Sequence, residues 1–115
     1  MTRHADALVL TEVDAGIGIV TLNRPHAHNL LDASLAESLI GAIDDLVARP
    51  GVRTIVLSAL GDSFSVGSDP LELERSGLIA VEPALAARLL RSVAECPRPV
   101  VARVQGPAYG LGAGL

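Results

Sequence analysis

Aromatic side chains are almost missing from this chain: its 115 residues hold one Phe, one Tyr and no Trp. That scarcity excludes the stacked aromatic platform on which single-stranded nucleic acid is held. It also leaves the core to Leu, Val, Ile and Ala, which suits layered β/α packing. Cysteine is nearly absent as well. Cys96 stands alone, so neither a disulfide framework nor a Cys-based metal cluster is available. Positive charge is in deficit, with 9 Lys and Arg against 13 Asp and Glu, and no basic stripe is present. Nucleic acid is therefore not an expected partner. No apolar run approaches the roughly 18 residues that span a bilayer. The first six residues are polar and of mixed charge, unlike a signal peptide. A soluble, cytoplasmic protein is the expectation, with no membrane partner.

What is present is a chain that is 50% apolar and punctuated by 11 Gly and 7 Pro. Residues 7–13 and 16–22 are short runs rich in Val, Ile and Thr, parted by Asp14-Ala15, and predict a β-hairpin. Pro25 ends the second strand. Leu35, Leu39, Ile43 and Leu46 recur at helical spacing and predict a helix over 32–48. Asp32 offers its N-cap, Ser34 with Glu37 a capping box two residues later, and Pro50-Gly51 its stop. A buried strand is expected over 53–59, carried by Ile55, Val56 and Leu57. A short helix should follow Pro70. A second long helix is expected over 82–95, with Leu85, Leu89 and Val93 as its stripe and Leu90 beside it. A strand over 99–104 then leads into a glycine-rich end. Hairpin, helix, strand, helix, strand implies one α/β domain over 1–115, with right-handed crossovers.

Three segments carry the potential chemistry. Arg24, His26 and His28 gather local positive potential in a connection that is otherwise an ordinary polar loop, and a phosphate or adenine-bearing tail is what they suit. Two histidines two residues apart with no third ligand do not make a metal site. The second segment, Phe64-Ser65-Val66-Gly67-Ser68-Asp69-Pro70, has turn composition. A Ser68 backbone N–H near a helix start can also face a developing oxyanion. The third is Gly110-Leu111-Gly112-Ala113-Gly114-Leu115. It permits close helix–strand packing, but it misses the last glycine of the dinucleotide fingerprint and lacks the phosphate-loop lysine.

In order and spacing, these segments resemble the crotonase (enoyl-CoA hydratase/isomerase) superfamily. The likeness runs from about Val9 to Leu115. It rests on Ile19-Val20-Thr21-Leu22-Asn23-Arg24-Pro25 leading to His28-Asn29-Leu30, and on Gly51-Val52-Arg53-Thr54-Ile55-Val56-Leu57. It continues through Phe64-Ser65-Val66-Gly67-Ser68-Asp69 and Cys96-Pro97-Arg98-Pro99-Val100-Val101-Ala102-Arg103-Val104-Gln105-Gly106.

The resemblance implies the truncated N-terminal portion of a crotonase-like β-β-α superhelix, the C-terminal remainder being absent. It implies acyl-CoA thioesters as substrate, with no separate cofactor and no metal. Homo-oligomers, as trimers or dimers of trimers, belong to the same implication. In this family the thioester oxygen sits between two backbone N–H groups, here those of Ser68 and Leu111. His26, Ala27, His28, Val66, Gly67, Ser68, Asp69 and Gly110 would lie along the CoA-bearing substrate. Gly114 stands where hydratases of the family carry a glutamate, and glycine transfers no proton. Isomerisation or another one-carboxylate reaction therefore fits better than two-glutamate hydration. The alternative is a non-catalytic acyl-CoA-binding remnant or partner subunit.

Overall fold

The computed structural model describes residues 7–67, 70–108, 112 and 115. The chain opens with β1 (Val9–Asp14) and β2 (Ile17–Leu22), paired antiparallel from Val9↔Leu22 to Asp14↔Ile17. The expected hairpin is there, with its turn one residue later than the sequence suggests. Ala15 and Gly16 both have positive φ, 50° and 84°, as a two-residue hairpin turn of this twist requires. An alanine forced left-handed costs about 1 kcal/mol. Ala15→Asn creates the favoured Asn-Gly turn and is expected to gain about 0.5–1 kcal/mol, seen as a raised thermal midpoint. An unchanged midpoint would mean that the turn holds no strain worth relieving.

The long helix α1 (Ala33–Val47) begins where its sequence predicts. The Asp32 carboxylate accepts a hydrogen bond from the Leu35 N–H at 2.8 Å, and this cap prevails over the Ser34–Glu37 alternative. Leu35, Leu39, Ile43 and Leu46 are all buried. Each such side chain contributes about 1.5–3 kcal/mol by leaving water. Their helix packs on β1 and β2 and, on another side, on α3 (Pro83–Ala94). As the outer layer, α3 buries only Leu89 fully; Leu85 and Val93 are partly buried against the core, and Leu90 is exposed.

The strand β3 (Thr54–Ala59) runs parallel to β2, and β4 (Val100–Ala102) runs parallel to β3, giving the order β1-β2-β3-β4. Expected as a continuously buried run, β3 instead alternates. Ile55, Leu57 and Ala59 enter the core, while Val56 on the opposite face is half-buried. Successive side chains of a strand point to opposite faces, and only one face of this sheet meets the helices. Pairing of β4 covers three residues rather than the six anticipated, and Val101 at its centre is 53% exposed. The short helix α2 (Pro70–Arg75) follows Pro70 as expected and sinks Leu73 into the interior. Among the described residues no helix is long and apolar enough to cross a membrane.

Because β2, β3 and β4 are mutually parallel, their C-terminal ends open on the same edge of the sheet. The segments 23–31, 60–67 and 103–108 leave from those ends. Ligands of open parallel sheets bind along such an edge.

Candidate functional site

After β2 the chain makes a single 3₁₀ turn, Pro25–Ala27, and then places two consecutive non-glycine residues left-handed: His28 and Asn29, each at φ 52°. This conformation costs about 1–2 kcal/mol per residue. It persists because Asn29, 0% exposed, uses every polar group it has. Its Oδ1 accepts from the Arg24 N–H at 2.8 Å. Its Nδ2 donates to the carbonyls of Leu60 and Ser63, both at 2.9 Å. Its own carbonyl accepts from the Ser65 hydroxyl at 2.8 Å. A polar residue this deeply buried is tolerated only when so fully partnered. The loop after β2 is thereby tied to the loop after β3.

Main-chain bonds complete the tie. The Val66 N–H donates to the His28 carbonyl at 3.2 Å, and the Leu31 N–H donates to the Gly67 carbonyl at 2.7 Å. Ser65 is fully buried and accepts the Gly67 N–H on its hydroxyl oxygen at 3.1 Å. The segment after β4 joins on the other side. Ser65 forms a parallel bridge with Ala108, and the Phe64 N–H donates to the Pro107 carbonyl at 3.0 Å. The Gln105 amide donates to the carbonyls of Ala59, Gly61 and Ser63, closing the end of β3. Two glycines allow this approach. A Cβ on Gly106 would overlap the Asp62 carbonyl oxygen, and one on Gly112 would lie 2.6 Å from that of Ser65.

Arg24 departs from the sequence reading. It is not a free cation for a phosphate: it is 6% exposed, and its Nη1 meets the Asp32 carboxylate at 3.0 Å and the Leu30 carbonyl at 3.1 Å. Its charge is spent inside the protein. His26 and His28 remain exposed at the surface, with the Ser63 hydroxyl 3.4 Å from the His28 Nδ1.

A cleft of about 750 Å³ opens here. It is lined by Arg24, Leu30, Val66 and the His26–Ala27–His28 stretch, together with Glu72 of α2 and Ser76 and Leu78 beyond it. Of the residues singled out from sequence, His26, Ala27, His28 and Val66 thus share one cleft, and Gly67 adjoins it in the chain. Ser68, Asp69, Gly110 and Leu111 lie outside the described residues, as does Gly114. Sequence reading missed Asn29, Ser65 and Gln105, and it missed Glu72, Ser76 and Leu78 as cleft residues. An Asn beside a turn tolerates the left-handed region, which was a usable signal; a lone serine gives none. Among the described residues, no three His, Cys, Asp or Glu side chains converge to hold a metal. A second cleft, about 320 Å³ between α1 and α3, shares no residue with the first.

The family model described as enoyl-CoA hydratase/isomerase matches residues 12–115. A Thermus thermophilus protein provisionally named an enoyl-CoA hydratase is 41% identical over 112 residues, taking in 92% of this chain and 44% of its own. The trans-2-decenoyl-[acyl-carrier-protein] isomerase of Streptococcus mutans is 29% identical over 114 residues, covering 93% of this chain and 43% of that enzyme. The crystal structure of a Legionella pneumophila protein, provisionally described as an enoyl-CoA hydratase/isomerase (crotonase), superposes with a TM-score of 0.84 at 31% identity. It covers 96% of this chain and 44% of that one. The chain spans less than half the length of these relatives, and its α/β architecture is the N-terminal part of theirs.

Proposed function

The chain belongs to the enoyl-CoA hydratase/isomerase family, and from that premise we propose that it binds an acyl-CoA thioester and holds the thioester oxygen between the backbone N–H groups of Ser68 and Leu111. Loss of a proton from the carbon beside the carbonyl throws negative charge onto that oxygen. Two fixed amide donors stabilise the enolate without reorganising as the charge appears. Glycine at position 114 supplies no proton acceptor, so the proton goes to a carboxylate elsewhere. A single carboxylate that removes a proton at one carbon and returns it at another performs isomerisation.

One observation carries this reading. The His26–Ala27–His28 stretch and Val66, assigned to the CoA moiety through the family likeness, line a single cleft of about 750 Å³. That cleft adjoins the turn at Gly67.

Calorimetric titration with butyryl-CoA, CoA and butyrate tests it. Butyryl-CoA should bind, CoA should compete with it, and butyrate should do neither. Absence of butyryl-CoA binding would end the proposal. Incubating the complex in deuterated water separates two forms of the reading. Exchange of the protons beside the carbonyl marks a catalyst, whereas binding without exchange marks the non-catalytic acyl-CoA binder.

A further inference from the structure

We infer that the cleft takes up protons on His26 and His28 as it binds the phosphates of CoA, so that affinity rises as the pH falls; this rests on the acyl-CoA reading given above. The starting point is Arg24. An arginine keeps its charge at every working pH, and a free one here would hold phosphate equally well in neutral and mildly acid solution. Arg24 is not free. Asp32 neutralises it at 3.0 Å, and both side chains are buried.

Apart from that pair, the ionisable groups among the described residues lining the cleft are His26, His28 and Glu72. Glu72 is negative and opposes an anion; its carboxylate stands 3.7 Å from the exposed guanidinium of Arg75, its neighbour on α2. Positive charge for a phosphate must therefore come from the two imidazoles. The chain contains no lysine that could supply it instead. Imidazole gains its charge between about pH 5 and about pH 8.

The local structure accepts both charge states. His26 lies in the 3₁₀ turn and His28 caps it in the left-handed region, and both are exposed. The Ser63 hydroxyl, 3.4 Å from the His28 Nδ1, donates to the neutral ring or accepts from the protonated one, so protonation strands no partner. Two imidazolium ions two residues apart repel each other, and an anion in the cleft relieves that repulsion. The coupling is reciprocal: phosphate raises the affinity for protons, and protons raise the affinity for phosphate by the same factor. The ligand-bound state thus holds more protons, which makes binding tighter as the pH falls through the imidazole range.

The test is calorimetric titration with dephospho-CoA in two buffers of different ionisation heat, whose difference counts the protons taken up. Dephospho-CoA is the probe because its diphosphate keeps its charge in this range, whereas a phosphate monoester titrates near about pH 6. Net uptake of one proton changes affinity tenfold per pH unit, so wild-type protein should bind roughly tenfold or more tightly at about pH 5.5 than at about pH 8. A double variant, His26→Gln with His28→Asn, should lose both the uptake and the gain in affinity; asparagine is chosen because it tolerates the left-handed backbone at position 28. Glu72→Gln should tighten binding at both pH values and keep the uptake. Binding without proton uptake in the wild type overturns the inference, as does uptake that survives in the double variant or vanishes in Glu72→Gln. If neither CoA nor dephospho-CoA binds at any pH, the acyl-CoA reading fails before the histidines are in question.

Discussion

Replacing Asp32 with alanine is expected to lower stability by about 3–5 kcal/mol, far more than the loss of a helix cap alone. Removing one partner of a buried ion pair leaves the other charge uncompensated in a poorly solvated site. Arg24 is that other charge, 6% exposed, with Asp32 3% exposed at 3.0 Å from it. The same carboxylate caps α1 through the Leu35 N–H, a contribution of about 0.5–2 kcal/mol. Asp32→Asn distinguishes the two. It keeps a capping oxygen and removes the negative charge, so it should still lose most of the stability in urea unfolding. An Asp32→Asn protein within about 1 kcal/mol of wild type would show that the cap, and not the pair, is what matters. Because the Arg24 Nη1 also holds the Leu30 carbonyl, the loop that lines the cleft should loosen in both variants.

The largest functional effect is expected from Gly112→Ala. The added methyl carbon would sit 2.6 Å from the Ser65 backbone oxygen, which cannot rotate away as a side chain would. Gly112 must then move off Ser65, and the donor proposed at Leu111, its neighbour in the chain, is expected to be displaced. Loss of one such donor costs on the order of 10²–10³-fold in rate, read here as exchange of the protons beside the thioester carbonyl. Forced overpacking should also cost about 1–3 kcal/mol of stability. Gly41→Ala provides the contrast. Gly41 lies within α1 with nothing within 4 Å of its missing Cβ, so alanine there should stabilise the chain by about 0.5–1 kcal/mol. Equal exchange rates in wild type and Gly112→Ala would contradict the proposal of a donor at Leu111.

Where a signal is local and periodic, the sequence reads true. The stripe of Leu35, Leu39, Ile43 and Leu46 announces α1 because helical periodicity is written in neighbouring residues. The hairpin and the short helix after Pro70 are legible for the same reason. Val56 was misread because a run of Ile, Val and Leu does not say which of its members faces the helices. Arg24 was misread because its partner lies eight residues away across an irregular loop, outside any helical spacing rule. Ser65 and Asn29 were invisible as a pair: they are 36 residues apart, and nothing in either position names the other. The gathering of the His26–Ala27–His28 stretch beside Val66 was legible only through family likeness, since it depends on two parallel strands ending at one edge.

The comparison that tests the central claim most directly sets butyryl-CoA against its thioether analogue, butyl-CoA, which keeps the chain and the CoA body but has no carbonyl oxygen. Two amide hydrogen bonds to that oxygen are worth about 1–3 kcal/mol together. Butyryl-CoA should therefore bind on the order of 10- to 100-fold more tightly, and Gly112→Ala should shrink the difference. Equal affinity for the two ligands would mean that this protein does not recognise the thioester oxygen, and the two-donor account would be wrong.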